Sequence, residues 1–364
     1  MIKLFHPHIP EEFNAKVEEI LKSGWIGQGP MVDEFEKAFA KYTGAKYAVM
    51  TNSATSALNL AVEVSGVGPG DEVLTTSMTF ISTNHAILNA GATPVFVDID
   101  PETLLMDLDL IRAKVTSRTK AIMAVHYAGN PFNMLKLYAL AGEFGLKVIE
   151  DAAHACGAFY DGKPIGGFGL TCFSFHAVKN LPTGDGGMVT TNDEDEYNTV
   201  RSLTWLGIDK STFARSTGKY KWEYDIPIVG YKYHSNDIAA VLGVQGLEKL
   251  NEWNEYRKFL HREYATLLPG VEFLKRTPKT FSSAHLCVIR VPNRDALHDR
   301  LEENNIETGV HYKPNHLYPM YQQYDVGDLV ETEKAYKEIL SLPMHLKLGK
   351  NDISYITGTI KRYI

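Results

Sequence analysis

Cross-linking sulfur is scarce in this chain: its 364 residues include three cysteines, Cys156, Cys172 and Cys287, and no CxxC pair. Three thiols cannot all pair, which argues against a disulfide framework and against a zinc site and fits a reducing cytoplasm. Positive charge is short too. Lysine and arginine total 37 against 44 aspartates and glutamates, a net charge of -7, so no general attraction to phosphate backbones or anionic membranes is expected, and nucleic-acid binding is disfavoured. An acidic small molecule would need a local basic pocket. No apolar run approaches the roughly 18 residues of a membrane span. The opening MIKLFHPHIPEEF has neither the charged region nor the apolar stretch of a signal peptide. These absences point to a soluble cytoplasmic protein with no membrane partner. Neither an internal repeat nor a Pro/Ser-rich linker is visible, so a solenoid and loosely tethered domains are not expected.

What is present is the material of a large core. Hydrophobic residues make up 44% and charged residues 22%, an ordinary globular balance, and the length suits two domains. From about residue 46, short apolar runs such as KYAVM, EVLTT, TPVFVDI, KAIMAVHY and KVIEDAA alternate with helix-period stretches such as SATSALNLAVEVSG and NMLKLYALAGEFGL. That rhythm predicts an α/β fold with a mostly parallel sheet between helices. Residues 235–268 keep three-and-four apolar spacing far longer than a usual helix and are read as one helix linking two domains. Beyond it SAHLCVIRVP reads as a strand and NRDALHDRLEENN, ETEKAYKEILSLPM and DISYITGTIKRYI as helices, which makes a smaller α+β domain. The expected division is 1–245 and 246–364.

Three stretches carry chemistry. IEDAAHACGA ends a predicted strand with an acidic pair, and the C-terminal ends of strands in open α/β sheets are where ligands bind, so one of Glu150 and Asp151 faces a ligand or the pair is a solvated cap. TNSATSALNL is a strand-to-helix junction whose first-turn N–H groups suit a phosphate, with Ser53 and Thr55 also available as plain caps. FSFHAVKNLPTGDGG sets Lys179 between a strand with Phe173 and Phe175, polar Ser174 and His176, and a glycine turn. Lysines are ordinarily surface residues, but burial here would lower the amine pKa and favour its nucleophilic form. An acid, a phosphate-ready helix start and a nucleophilic lysine are the three anchors of pyridoxal phosphate.

The same residues sit in blocks that run nearly end to end: GWIGQGPMVDEFEKAFAKYTGAKYAVMTNSATSAL, MTFISTNHAILNAGATPVFVDID, AVHYAGNPFNM, KVIEDAAHACGAFYDGKPIG, the lysine block, GYKYHSNDIAAVLG, TGVHYKPNHLYP and LSLPMH. In that order they resemble the DegT/StrS-type family of pyridoxal phosphate enzymes that aminate nucleotide-linked keto sugars. The resemblance implies the type I fold of pyridoxal phosphate transferases, with a seven-stranded sheet in the large domain. It implies that Lys179 is the Schiff-base lysine, that Asp151 pairs with the pyridine nitrogen and that His154 approaches the ring hydroxyl. Phe80 and Ala153 would cover the two ring faces, and Ala54, Thr55 and Ser174 would hold the phosphate. It further implies a homodimer with shared active sites, in which GYKYHSND reaches the neighbour. Many members carry Asn where Lys232 stands, so Lys232, His234 and Asn236 are alternatives for a phosphate contact. Tyr312, Lys313 and His316 would face the nucleotide sugar.

The implied reaction is a transamination in which an amino acid, usually glutamate returning as 2-oxoglutarate, aminates the cofactor and a nucleotide-linked keto sugar takes the nitrogen, for surface polysaccharide or glycoside biosynthesis. Family members that dehydrate sugars carry His in place of the lysine, so the presence of Lys179 argues for amination. Cyclitol ketones as acceptors, or a non-catalytic regulator on the same fold, are the alternatives. The aromatic and basic insertion at 207–229, with Trp25 and Trp205, is either a solvated loop or a cover over the site or dimer partner.

Overall fold

The computed structural model describes residues 1–208, 224–324 and 326–364. Most of the 207–229 insertion, residues 209–223, therefore lies outside the described residues. Helices α1 (Asn14–Ser23) and α2 (Pro30–Thr43) precede β1 (Tyr47–Thr51). Strand and helix then alternate, as the sequence rhythm predicts, through α3 (Ala54–Val64), β2 (Glu72–Thr76), α4 (Ile81–Asn89), β3 (Thr93–Val97), β4 (Thr119–Val125), α5 (Met134–Phe144) and β5 (Lys147–Asp151). A short hairpin of β6 (Phe159–Tyr160) and β7 (Lys163–Pro164) leads to β8 (Leu170–Ser174), β9 (Gly187–Thr191) and α6 (Glu194–Thr204).

Seven strands form one sheet in the order β1-β9-β8-β5-β4-β2-β3, parallel except for β9. Its strands are nearly unbroken apolar runs because both faces are covered. Met50, Leu74, Ile122 and Val148 point into one core with α2 and α5. Their neighbours Val49, Val73, Ala121 and Ile149 point into the other with α3 and α6. The period-2 alternation thus sorts residues between two helical layers rather than between core and water.

The long helix is α7 (Asp237–Leu267), capped by Asn236, whose Oδ1 accepts from the Ala239 N–H at 2.9 Å. At 31 residues it runs about 46 Å. Leu247 and Leu250 in its first half join the core under the large sheet, and Leu260 and Tyr264 join a separate one. Residue 245, the expected division, lies inside it. Downstream come β10 (Glu272–Phe273), β11 (Thr280–Phe281), β12 (Cys287–Arg290), α8 (Arg294–Glu303), α9 (Val330–Glu338), β13 (Ile339–Leu342) and α10 (Lys350–Ile360). Strands β10, β12 and β13 form a second, antiparallel sheet, and β11 pairs with β6.

ETEKAYKEILSLPM is not one helix. It breaks between Glu338 and Ile339, because Ile339, Leu340 and Leu342 bury as a strand against β12, whose ladder outweighs local helix propensity. The first residues are also built in. Ile2 N–H donates to Asn305 O at 2.7 Å, Glu307 N–H to Ile2 O at 2.9 Å and Met344 N–H to Leu4 O at 3.0 Å, so the chain start is bonded to the segments that follow α8 and β13. Among the described residues no helix is long and apolar enough to cross a membrane.

Candidate active site

The C-terminal ends of the parallel strands converge on a cavity of about 330 Å3, as expected for an open α/β sheet. Ser53, Ala54 and Thr55 enter it from the end of β1, Thr79 and Phe80 from β2, Val125 from β4, Asp151 from β5 and Ser174 from β8. At one end lies the start of α3. Ser53 Oγ accepts the Ser56 N–H at 3.1 Å, which leaves the other first-turn N–H groups at the positive end of the helix dipole. β9 presses close to this turn because residue 187 is glycine: a Cβ there would sit 2.5 Å from the carbonyl of Ser53 and 2.7 Å from the nitrogen of Ala54.

Lys179 reaches the cavity from the loop between β8 and β9. Phe173 and Phe175 are fully buried against Phe39, which pulls the loop's root inward. Gly184, at φ +93°, turns the chain back so that the Phe175 N–H meets Gly186 O at 2.9 Å. The Lys179 amine is pulled down from 10.5 to about 8 by burial, partly opposed by the carboxylate of Asp151. Near neutral pH its free-amine fraction rises roughly 300-fold over that of an exposed lysine. Asp151 is itself fixed: its Oδ2 accepts from the Thr83 hydroxyl at 2.7 Å and its Oδ1 from the Ala153 N–H at 3.0 Å.

Three imidazoles surround the lysine. His154 Nδ1 accepts the Ala128 N–H at 3.3 Å, so its proton sits on Nε2 and is donated to Tyr312 Oη at 2.9 Å. Burial, then the charge of Lys179, holds His154 well below the usual histidine range. His285 is depressed by the same two causes, and His311 is brought to about 4, again by burial and then Lys179. All three are neutral at physiological pH.

The acidic pair divides between the faces of the sheet. Asp151 enters the cavity, while Glu150 is buried on the opposite face, where it accepts from Tyr138 Oη at 2.6 Å and lies 3.0 Å from His126 Nε2. Of the remaining expected residues, Ala54, Thr55, Phe80, Ala153, His154, Ser174 and Tyr312 line the cavity. Lys313 does not; it is exposed, with Nζ 4.6 Å from the Tyr318 ring. His316 does not either. It is buried with Nδ1 2.7 Å from Ser77 Oγ and Nε2 3.4 Å from Glu333. Lys232 lies with Nζ 5.4 Å over the Trp205 ring, and Asn236 serves α7 as its cap, both outside this chain's own cavity. Phe5, Thr83, His285 and His311 line the cavity unforeseen. Phe5 stands in MIKLF, which carries no motif, and His285 in SAHLCVIRVP, whose pattern marks only a strand.

The donor set fits pyridoxal phosphate: helix N–H groups and hydroxyls at one end, a fixed carboxylate at the other, an amine of lowered pKa between, and an aromatic ring, Phe80, at the mouth. Comparison with known proteins agrees. Residues 7–361 match the model of the DegT/DnrJ/EryC1/StrS aminotransferase family. The chain is 40% identical over 370 residues to the spore coat polysaccharide biosynthesis protein SpsC of Bacillus subtilis, covering 98% of this chain and 95% of that one. It is 37% identical over 382 residues to the UDP-4-amino-4-deoxy-L-arabinose--oxoglutarate aminotransferase of Shewanella sediminis, covering 100% and 98%. A Streptococcus pneumoniae structure in its PMP form superposes with TM-score 0.94 at 33% identity over 100% of this chain and 98% of that one, and the same protein's PLP form gives 0.92. The chain belongs to the DegT/DnrJ/EryC1/StrS aminotransferase family and is a pyridoxal phosphate-dependent sugar aminotransferase.

Proposed function

We propose that the enzyme moves an amino group from L-glutamate to a keto sugar carried on a nucleoside diphosphate, releasing 2-oxoglutarate and an amino sugar for surface polysaccharide or glycoside assembly. The observation that carries this reading is the meeting of Lys179, Asp151 and the first turn of α3 on one cavity. That the Shewanella relative is named for a UDP-linked amino sugar and for oxoglutarate supports both halves.

Bound pyridoxal phosphate supplies a cationic ring that draws electron density from the carbon bearing the nitrogen. The chain's own residues do the rest. The Ala54 and Thr55 N–H groups, with the hydroxyls of Thr55 and Ser174, hold the phosphate. Asp151, itself oriented by Thr83, keeps a proton on the ring nitrogen. Phe80 and Ala153, which line the cavity, would cover the ring faces, and His154 would approach the ring hydroxyl. Lys179 would hold the cofactor covalently until the incoming amine takes its place, and its freed Nζ would then accept the proton released from the donor's α-carbon, hand it on within the cavity, and run the same transfer in reverse for the sugar. A free amine near neutral pH suits that work. Tyr312 faces the substrate from the cavity wall, and Lys313 adds positive charge outside it.

The active unit is proposed to be a homodimer. Ile226, Ile228 and Val229 leave an apolar strip open to water, with Val229 91% exposed, directly before Lys232, His234 and Asn236. The residues that would reach the neighbour's phosphate thus sit beside a surface that asks for a partner. The buried free thiols of Cys156, Cys172 and Cys287 fit a reducing cytoplasm. The test is an assay of the purified enzyme with glutamate across nucleotide-linked 3-keto and 4-keto sugars, following 2-oxoglutarate. Turnover of a cyclitol ketone and of no nucleotide sugar would overturn the substrate, and full activity in Lys179→Ala would overturn the site.

A further inference from the structure

Of the three neutral imidazoles around Lys179, the reading above employs only His154. His285, 1% exposed and just ahead of β12, has its Nε2 3.4 Å from Lys179 Nζ, at the outer edge of hydrogen-bond range. Among the described residues it is the one side-chain hydrogen-bond partner of that amine. Its ring is held on every side. Nδ1–H donates to Asn180 Oδ1 at 2.9 Å, and Asn180 cannot turn its amide around, because its Nδ2 donates to Asn254 Oδ1 at 2.7 Å and Ser283 O at 2.8 Å. With the proton tied to Nδ1, Nε2 keeps a lone pair aimed at the lysine. Phe5 stacks on the ring, 5.8 Å away and 10° from parallel, and His154 lies tilted beside it at 4.5 Å. Phe5 is delivered by the chain start, which is bonded to Asn305, Glu307 and Met344. Both nitrogens of one histidine thus engage consecutive residues, Lys179 and Asn180, which lie 106 and 105 positions earlier in the chain.

We propose that His285 is a positioning residue for Lys179: its Nε2 takes one N–H of the free amine and so turns the amine's lone pair into the cavity during each proton transfer. A neutral amine has two hydrogens and one lone pair, so engaging one hydrogen restricts where the lone pair points. The groups facing His285 are Lys179, His154, Arg257 and His311, with Asp151 beyond the lysine. Burial and these neighbours, none of them an acid in contact with the ring, keep His285 neutral and therefore an acceptor. The inference rests on the proton-carrying role assigned to Lys179 above.

The test compares wild type with His285→Phe, which preserves a ring under Phe5, and His285→Gln, which restores an acceptor oxygen. His285→Leu stands in should the phenylalanine variant fail to fold. In the apoprotein, the pH dependence of Lys179 labelling by an amine-reactive reagent, read on its peptide by mass spectrometry, reports the amine directly. An acceptor favours the ammonium, so the phenylalanine variant is expected to titrate about one unit lower than wild type and the glutamine variant within a few tenths of it. In the reconstituted enzyme, kcat for the glutamate half-reaction is expected to fall on the order of 10- to 100-fold in His285→Phe with KM little changed, and to recover most of that loss in His285→Gln. An unchanged titration and kcat in His285→Phe overturns the proposal, as does an equal loss in both variants, which would mark a packing role. Lys179→Ala separates the two levels: if it retains near wild-type turnover, the reading of the lysine fails, whereas if it is inactive and His285→Phe is unaffected, only this inference fails.

Discussion

The lowered pKa of Lys179 makes a prediction about pH that no ordinary lysine would satisfy. An exposed amine near 10.5 is neutral in only about one molecule in 3,000 at pH 7, whereas one near 8 is neutral in about one in ten. Capture of pyridoxal phosphate by the apoenzyme needs the neutral amine. Its rate constant is expected to climb about tenfold per pH unit below 7, bend near 8 and plateau above it. Stopped-flow absorbance of apoprotein mixed with cofactor, from pH 6 to 10.5, measures this. The sign of the Asp151 contribution supplies a control: its carboxylate raises the amine's pKa, so Asp151→Asn moves the bend below that of wild type. A rate that keeps climbing past pH 10, or a bend that rises in Asp151→Asn, would refute the assignment of burial as the dominant cause.

Other consequences are more local. Thr83→Val removes the 2.7 Å hydroxyl bond to Asp151 Oδ2; kcat is expected to fall about tenfold and chemical denaturation to show a loss of about 1.5–3 kcal/mol, the usual range for a bond to a charged group. Gly187→Ala drives a Cβ to 2.5 Å from the Ser53 carbonyl, so the first turn of α3 must shift, and equilibrium dialysis of the apoenzyme is expected to show cofactor affinity weakened at least tenfold. Phe80→Ala, at a ring 57% exposed before anything stacks on it, is expected to weaken cofactor binding roughly 2- to 12-fold in the same measurement, with little change in thermal stability.

The sheet and the cavity were legible for different reasons. The strands of the large sheet and helices α3 to α5 follow from alternation of short apolar runs with helix-period stretches, because each run is buried on both faces and its few polar residues are threonines or stand near strand ends, whereas that alternation does not mark α1, α2 and α6. The anchors Lys179, Asp151 and the α3 start were legible because each needs a particular residue at a particular junction. What stayed hidden are groups whose position depends on contacts between distant segments. His285 reaches Lys179 from just ahead of β12, and Phe5 reaches His285 because the chain start is bonded to Asn305, Glu307 and Met344; nothing in MIKLF or SAHLC marks that meeting. ILSL reads as helix in sequence and folds as strand for the same reason, since its partner strand lies about 50 residues upstream.

The adjacent acids show how far a local pattern can go. Either member of Glu150–Asp151 could have been the ligand acid, since both end one strand and strand neighbours always point to opposite faces. What decides is the layer each meets. Asp151 opens onto the strand ends, where Thr83 and Ala153 donate to it and Lys179 lies beyond. Glu150 turns into the core and finds Tyr138 and His126, the latter with its Nδ1 accepting the Phe132 N–H at 3.4 Å and its proton therefore on Nε2 for the carboxylate. Glu150→Gln keeps size and one acceptor but loses the charge, and Glu150→Ala strands both donors in a sealed space. The alanine variant is expected to lose about 3–5 kcal/mol in chemical denaturation while its folded fraction still binds cofactor. Asp151→Ala also breaks the Thr83 and Ala153 bonds and is expected to lose about 1.5–3 kcal/mol, less than the Glu150 variant, while losing turnover by orders of magnitude and holding cofactor poorly. If the two substitutions exchanged those outcomes, the division of this pair between the two faces of the sheet would be wrong.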